Sequence, residues 1–379
     1  MKKVRLQVVL FSIMLVLLSS FGGTMAQDDS TVNLLIWQAA STVNPYLSGG
    51  TKDLMAGSLV LESMARSNPD GIMIPVLAEE IPTVENGGVA EDLTSITWTL
   101  KEGLVWSDGT PVTAEDAVFS AAYCMDVATG CSQVPFYADV ESVEAVDDLT
   151  VTVHFSVPKP FPYGPFVGYQ SVIIQKAQFE ECIGENAQNC TDENFYPIGT
   201  GPYVVEEFRA NDVVTYTANP LYREEGKPFF QRVVLKGGGD AESAARAVLE
   251  TGEADYAWNL QISPDVLNQM ESAGLGTVSV GFATNVERIL VNQTNPDPDL
   301  GDMRAVWVED GSNAHPFLTD PVVYKAMSMA IDRNLIAEQL YGAGGIATCN
   351  CDDGNSYSVA GGGVPFDGTS GQYSLKPYF

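Results

Sequence analysis

Six cysteines and two histidines are the residues of this sequence whose types and spacing speak most directly to chemistry. The cysteines fall in three close pairs, Cys124 with Cys131, Cys182 with Cys190 and Cys349 with Cys351. Such spacings suit small disulfide loops in an oxidising compartment. A thiolate metal site is the alternative, but it calls for paired CxxC units or nearby imidazoles, and His154 and His315 are remote in sequence from every pair. The chain has no HExxH helix and no GxSxG elbow, so zinc hydrolysis and serine acyl transfer both lack their usual parts. Neither a metal nor a cofactor is expected. Glycoside hydrolysis stays open as an enzymatic alternative, because it needs only two carboxyls correctly spaced, although nothing selects a pair among the 49 acidic residues.

Two further stretches imitate ligand motifs and then depart from them. Gly199, Gly201 and Pro202 suggest a phosphate-binding turn, yet no GK[ST] follows. The loop from Asn295 to Asp302, NPDPDLGD, has the acids of a calcium loop, but its prolines and the missing twelfth-position Glu break the pattern. His154 alternates with Thr150 and Thr152 on the polar side of a strand, with no nucleophile pattern beside it. What remains is recognition by a cleft.

The elements that would build such a cleft can be read from pattern. A chain of 379 residues exceeds the size at which one core stops growing, so two or more domains are expected. A hydrophobic content of 45% suffices for large cores, and a formal charge of -30 argues against nucleic-acid and anionic-membrane partners. Lys2, Lys3 and Arg5, the apolar run Val8 to Phe21 and the small residues at Thr24-Met25-Ala26 read as a secretory signal over 1–26. That run is short for a membrane span of roughly 20 residues. The mature chain is therefore expected to begin near Gln27, periplasmic or secreted, with no cysteine there for a lipid anchor.

Asn33 to Trp37 reads as a strand, followed by turn formers and a helix from Asp53 to about Met64. Ile96, Trp98 and Leu100 alternate as a half-buried strand; Asp108-Gly109 makes a tight turn; Thr113 with Asp116 forms an acidic capping box for a helix through Met125. Val140 to Val146 and Leu149 to Phe155 pair as a hairpin. Tyr203 to Phe208 and a strand beginning at Asp212 follow the glycine turn, then an alanine-rich helix from Asp240 to Glu250 stopped by Gly252, and a strand from Ala254 to Trp258. Asp320 caps a helix starting at Pro321, with Val323, Ala326, Met327, Ala330 and Ile331 on one face. The tail from Ala343 to Phe379 is rich in Gly, Ser and Asn and is expected to end without a packed element.

Three runs in succession, WTLKEGLVWSDGTPVTAEDAVFS, GTGPYVVEEFRANDVVTYTANPLYR and AMSMAIDRNLIAEQLYGAG, resemble the signature segments of the family 5 extracellular solute-binding proteins, the dipeptide and oligopeptide receptors of ABC importers. The resemblance implies a mixed α/β fold of the two-lobed periplasmic-binding-protein type with an additional small α/β domain. It divides the chain into the signal (1–26), lobe I first part (27–67), a small extra domain (68–192), lobe I second part (193–283) and an incomplete third domain (284–379). Members of the family continue past this length, so the chain is expected to be truncated, without the region whose carboxylate grips a peptide's amino terminus. The implied ligand contacts are Trp37, Gln38, Ala39, Ala40 and Ser41, with Tyr137, Trp258, Asn259 and Asn292 as further candidates. An ordinary strand end and a buried core Trp are the plain alternatives for Trp37 to Ser41 and for Trp258. The implied partners are a peptide or other small solute and an ABC permease in the membrane, with the receptor itself a monomer. Nickel chelates, haem and oligosaccharides are the alternative ligands on the same scaffold.

Overall fold

The computed structural model of the chain describes residues 30–258, 260, 262–281, 289–342 and 372–377. The signal at 1–26, Asn259 and the pair Cys349 and Cys351 lie outside them. Strand β1 (Thr31–Ile36) turns Val32, Leu34 and Ile36 to one face and Thr31, Asn33 and Leu35 to the other. Val32, Leu34 and Ile36 join one core and Leu35 the other. Helix α1 (Thr51–Ser58) follows. It stops well short of the expected Met64, because the next residues are claimed by tertiary backbone pairing: Gly201 N donates to Val60 O, Ile173 N to Glu62 O and Met64 N to Phe166 O, each at 2.8 Å. β2 (Ala65–Ser67) and β3 (Met73–Pro75) make a short hairpin.

The next unit is an antiparallel sheet of β4 (Ser95–Thr99), β5 (Val140–Ala145) and β6 (Thr150–Phe155), with β6 central. Ile96 and Trp98 of β4 and Val151 and Val153 of β6 are fully buried in one core with Ala117 and Ala121 of α2 (Ala114–Met125), while Tyr123 of the same helix packs edge-on to Phe179. The expected capping box is present, with Thr113 N donating to Asp116 Oδ2 at 2.9 Å. The other carboxylate oxygen accepts from Lys176 N at 2.9 Å, so one buried acid ties the helix start to a distant loop. Disulfides Cys124–Cys131 and Cys182–Cys190 close two of the three expected small loops. Glu193 lies beside the second pair, but both sulfurs there are spent on each other and are not free for a metal.

The chain then returns to β1. β7 (Tyr203–Arg209), β8 (Val213–Ala218), β9 (Arg232–Gly237), β10 (Tyr256–Trp258), β11 (Gly276–Gly281) and β12 (Gln372–Pro377) complete a mixed seven-stranded sheet in the order β11-β12-β10-β1-β9-β8-β7. Only the central trio is parallel: β1 lies between β9 and β10, and every other pairing is antiparallel. The glycines before β7 serve packing, since a Cβ on Gly199 would sit 1.9 Å from the Val60 carbonyl oxygen. Helix α3 (Ala241–Arg246), continued by a wider turn over Ala247–Thr251, links β9 to β10, and α4 (Pro264–Glu271) packs beside it over the second core of Ala257, Leu260, Leu267 and Met270. Helix α5 (Pro321–Ala330) starts at the expected Asp320 cap.

The expectation that the tail holds no final element fails at β12, which inserts between β10 and β11. Its signal is the alternation of Tyr373 and Leu375 with polar residues, hidden by the glycine-rich stretch before it.

Replacing Asp116 with Ala removes a buried carboxylate that accepts two backbone N–H groups, and should lower the unfolding free energy by about 2–3 kcal/mol. Urea denaturation reads this directly, with an unchanged midpoint counting against the tie between α2 and Lys176.

Candidate functional site

The parallel trio ends on one side of the sheet. Ile36 of β1 is in register with Gly237 of β9 and with Trp258 of β10, so three strand ends meet there. Ligand crevices in open α/β sheets lie outside such carboxyl ends. The residue after β1, Trp37, is 46% exposed. After β9 the backbone runs through Gly238 and Gly239, at φ +79° and +104°, to Asp240, which caps α3 by accepting from Ser243 N at 2.7 Å. These residues line a crevice of about 280 Å³ that continues between α3 and the sheet, past Lys236, as far as Asn33 and Glu253. Among the described residues it offers one indole face, several hydrogen-bonding groups, one ammonium and two carboxylates, and no histidine or cysteine.

The turn carrying Trp37 is fixed from below. It passes so close to β9 that a Cβ on Gly237 would lie 2.1 Å from Ala39 Cα. Ala40 O accepts from Asn211 N at 2.9 Å. Asp53, fully buried in α1, accepts from Ser41 N at 2.6 Å, from Thr42 N at 3.2 Å and from Ser48 Oγ at 2.6 Å, and pairs with Lys52 Nζ at 2.7 Å. Burial by itself would raise the Asp53 pKa, but the hydrogen bond from Lys52, with those from Ser48 and Ser41, outweighs it and holds the carboxyl below its ordinary value.

Of the residues expected at the ligand, Trp37 lines the crevice and Trp258 ends the neighbouring strand, half-buried against the first core. Gln38 and Ser41 are exposed on the same turn, while Ala39 and Ala40 are buried under it. Two candidates are elsewhere. Tyr137 is a core phenol, its hydroxyl 2.9 Å from that of Tyr46 and accepting from Ser171 Oγ, with burial pushing its pKa up to about 12. Asn292 is exposed and turns its Oδ1 back onto Thr294 N at 3.0 Å. Asn259 lies outside the described residues. Sequence reasoning missed Gly237, Gly238, Gly239 and Ser243; the signal was the GGG run between a strand and an Asp-capped helix. It also missed Asp53, which a lone acid in a helix does not advertise.

The family model for bacterial extracellular solute-binding proteins, family 5 (middle), matches residues 73–364. The chain belongs to this family. Among curated relatives of this family 5 chain, Protein XP55 of Streptomyces lividans is 30% identical over 201 residues, covering 53% of this chain and 34% of the relative. The glutathione-binding protein of Escherichia coli (strain K12) is 24% identical over 218 residues, covering 58% of this chain and 40% of its own length. The chain thus spans well under half the length of these relatives. The solved structure of NikZ from Campylobacter jejuni in complex with Ni(L-His) superposes with a TM-score of 0.67 at 21% identity, over 85% of this chain and 57% of that one. The fold is accordingly the mixed α/β, two-lobed binding-protein type expected from the sequence.

Asp53→Asn should cost this family 5 chain about 2–3 kcal/mol near neutral pH. Because the folded-state pKa of Asp53 is depressed, its contribution is complete above the unfolded value of about 3.9 and is lost as pH falls through the folded value. The stability gap between wild type and variant should therefore be flat at neutral pH and close in acid; a gap that persists at low pH would refute the assignment. Gly237→Ala should displace the Trp37 turn and destabilise by more than about 2 kcal/mol, seen as a lowered melting temperature with a shifted Trp emission.

Proposed function

We propose that the protein is an extracytoplasmic receptor that captures short peptides at the strand-end crevice and delivers them to an ABC permease in the membrane, acting as a monomer and without chemical turnover. The observation that carries this reading is the convergence of three parallel strand ends on an exposed Trp37, held by a pinned turn, in a family 5 chain. An exposed aromatic anchor beside hydrogen-bonding backbone and a few charges suits an extended peptide, whose amides and termini need partners of both kinds. Closure of a second lobe over the ligand would supply the rest of the binding free energy. A curated relative is named for binding glutathione, which is itself a tripeptide.

Peptide is favoured over a nickel chelate because, among the described residues, no imidazole or thiol lines the crevice. His154 Nε2 lies 2.9 Å from Glu144 on the outer face of the three-stranded sheet, and His315 Nδ1 accepts from Phe317 N and Leu318 N. Neither imidazole is positioned to act as a base there. Export is supported by the leader-like 1–26 and by a family of extracellular proteins.

Short peptides should raise the melting temperature, by about 2.7 kcal/mol of added stability at a hundredfold excess over Kd, and should change Trp fluorescence. Trp37→Ala should weaken binding at least about tenfold. A failure of every peptide to stabilise the protein, or cleavage products in the mass spectrum, would overturn the proposal.

A further inference from the structure

The largest of the cavities described lies away from the strand-end crevice. It has about 570 Å³, within the range that holds small organic ligands. Its walls come from the segment after α1 (Leu59, Glu62, Arg66), from Val167 to Gln170, and from Pro202 and Tyr222, where the chain crosses between the two large sheets. Backbone hydrogen bonds fix these walls against one another: Gly201 N to Val60 O and Gly168 N to Ala65 O at 2.8 Å, and Tyr203 N to Leu59 O at 3.1 Å. The cavity is preformed rather than a gap between loose loops.

Its charges are unequal in availability. Glu62 is buried and already held by Arg223, whose Nη1 and Nη2 reach its two oxygens at 2.5 and 2.9 Å. A cationic ligand would find that carboxylate taken. Lys101 donates Nζ to the carbonyl of Val76 at the cavity wall, 2.7 Å away, and forms no ion pair among the described residues. Arg66 is exposed in the lining, and its guanidinium has neither a hydrogen bond nor an ion pair among the described residues. In a chain of formal charge -30, a guanidinium without an ion pair among the described residues is conspicuous. Its planar fork fits a carboxylate bidentately. The same cavity is lined by Tyr169, 50% exposed, by Tyr222 and by Leu59, side chains suited to an aromatic or branched apolar body.

We infer that this cavity is a second binding site, for a small organic carboxylate with an apolar body, seated by its carboxylate on Arg66. The carboxylate belongs either to a free acid or to the C-terminus of a peptide. The site is independent of the proposed peptide crevice, and its test keeps the two apart.

Isothermal titration of the protein with 3-phenylpropionate, with N-acetylphenylalanine and with 3-phenylpropionamide decides the matter. The two acids probe the free-acid and C-terminal sources. At least one should bind saturably, and the amide at least about tenfold more weakly. Arg66→Ala should lose the acid by a similar factor while melting close to the wild-type temperature, since the substitution keeps the β2 backbone pairing and removes a guanidinium with no hydrogen bond or ion pair among the described residues. Arg66→Lys should keep part of the affinity, and Trp37→Ala should leave it unchanged. Absence of saturable binding below about 10 mM, equal binding of acid and amide, equal binding by wild type and Arg66→Ala, or loss of binding in Trp37→Ala would each overturn the inference.

Discussion

A carboxylate taken out of water must be met by donors, or it costs several kcal/mol. In this protein that requirement falls on Asp53, and the surroundings of the site follow from how it is met. Its donors come from both sides of the turn after β1, so satisfying the charge also closes the turn that presents Trp37. The polar chain continues inward. Asn44 Nδ2 donates to Asn194 Oδ1 at 2.9 Å and to Tyr123 OH at 3.2 Å, and Tyr46 OH reaches Val172 O and Tyr137 OH. A single run of hydrogen bonds thus joins the crevice to α2 and to the core of the three-stranded unit. Tyr137, expected at the ligand, instead belongs to this run.

Local features were legible in the sequence wherever the physics is local. The Thr113–Asp116 cap, the Asp108-Gly109 turn with Gly109 at φ +86°, the β5–β6 hairpin and the Asp320 cap all rest on residues within a few positions of one another. The α1 end was misread because backbone partners more than a hundred residues away override a good helical pattern between Leu59 and Met64. The strand β12 was missed because its six residues gain their stability from strands distant in sequence. The site divides in the same way. Trp37 and Trp258 could be suggested through family resemblance, whereas Gly237 is required only because Ala39 passes over it.

Charge follows a related logic. Most ion pairs described, such as Arg246 with Glu242 and Lys176 with Glu115, are exposed and worth a fraction of a kcal/mol each. The buried exceptions, Asp53 with Lys52 and Glu62 with Arg223, lie in or just beyond α1, between the seven-stranded sheet and the chain crossings. Specific geometry here is set by few charges, each well supplied with donors, while the large acidic excess remains in water.

The centre of the seven-stranded sheet is formed by the first strand and by partners that come far later, with Thr31 paired to Arg232 and Leu34 to Tyr256. At synthesis rates of about 5–20 residues per second, roughly 10–40 s separate the emergence of β1 from that of β9. Throughout that interval β1, with its apolar face of Val32, Leu34 and Ile36, lacks both parallel mates, while the three-stranded unit, whose strand pairings all fall within residues 95–155, is free to assemble. The connectivity thus favours assembly of the three-stranded unit before the sheet that hosts the crevice, whose ligand turn is complete only with Gly237 beneath it.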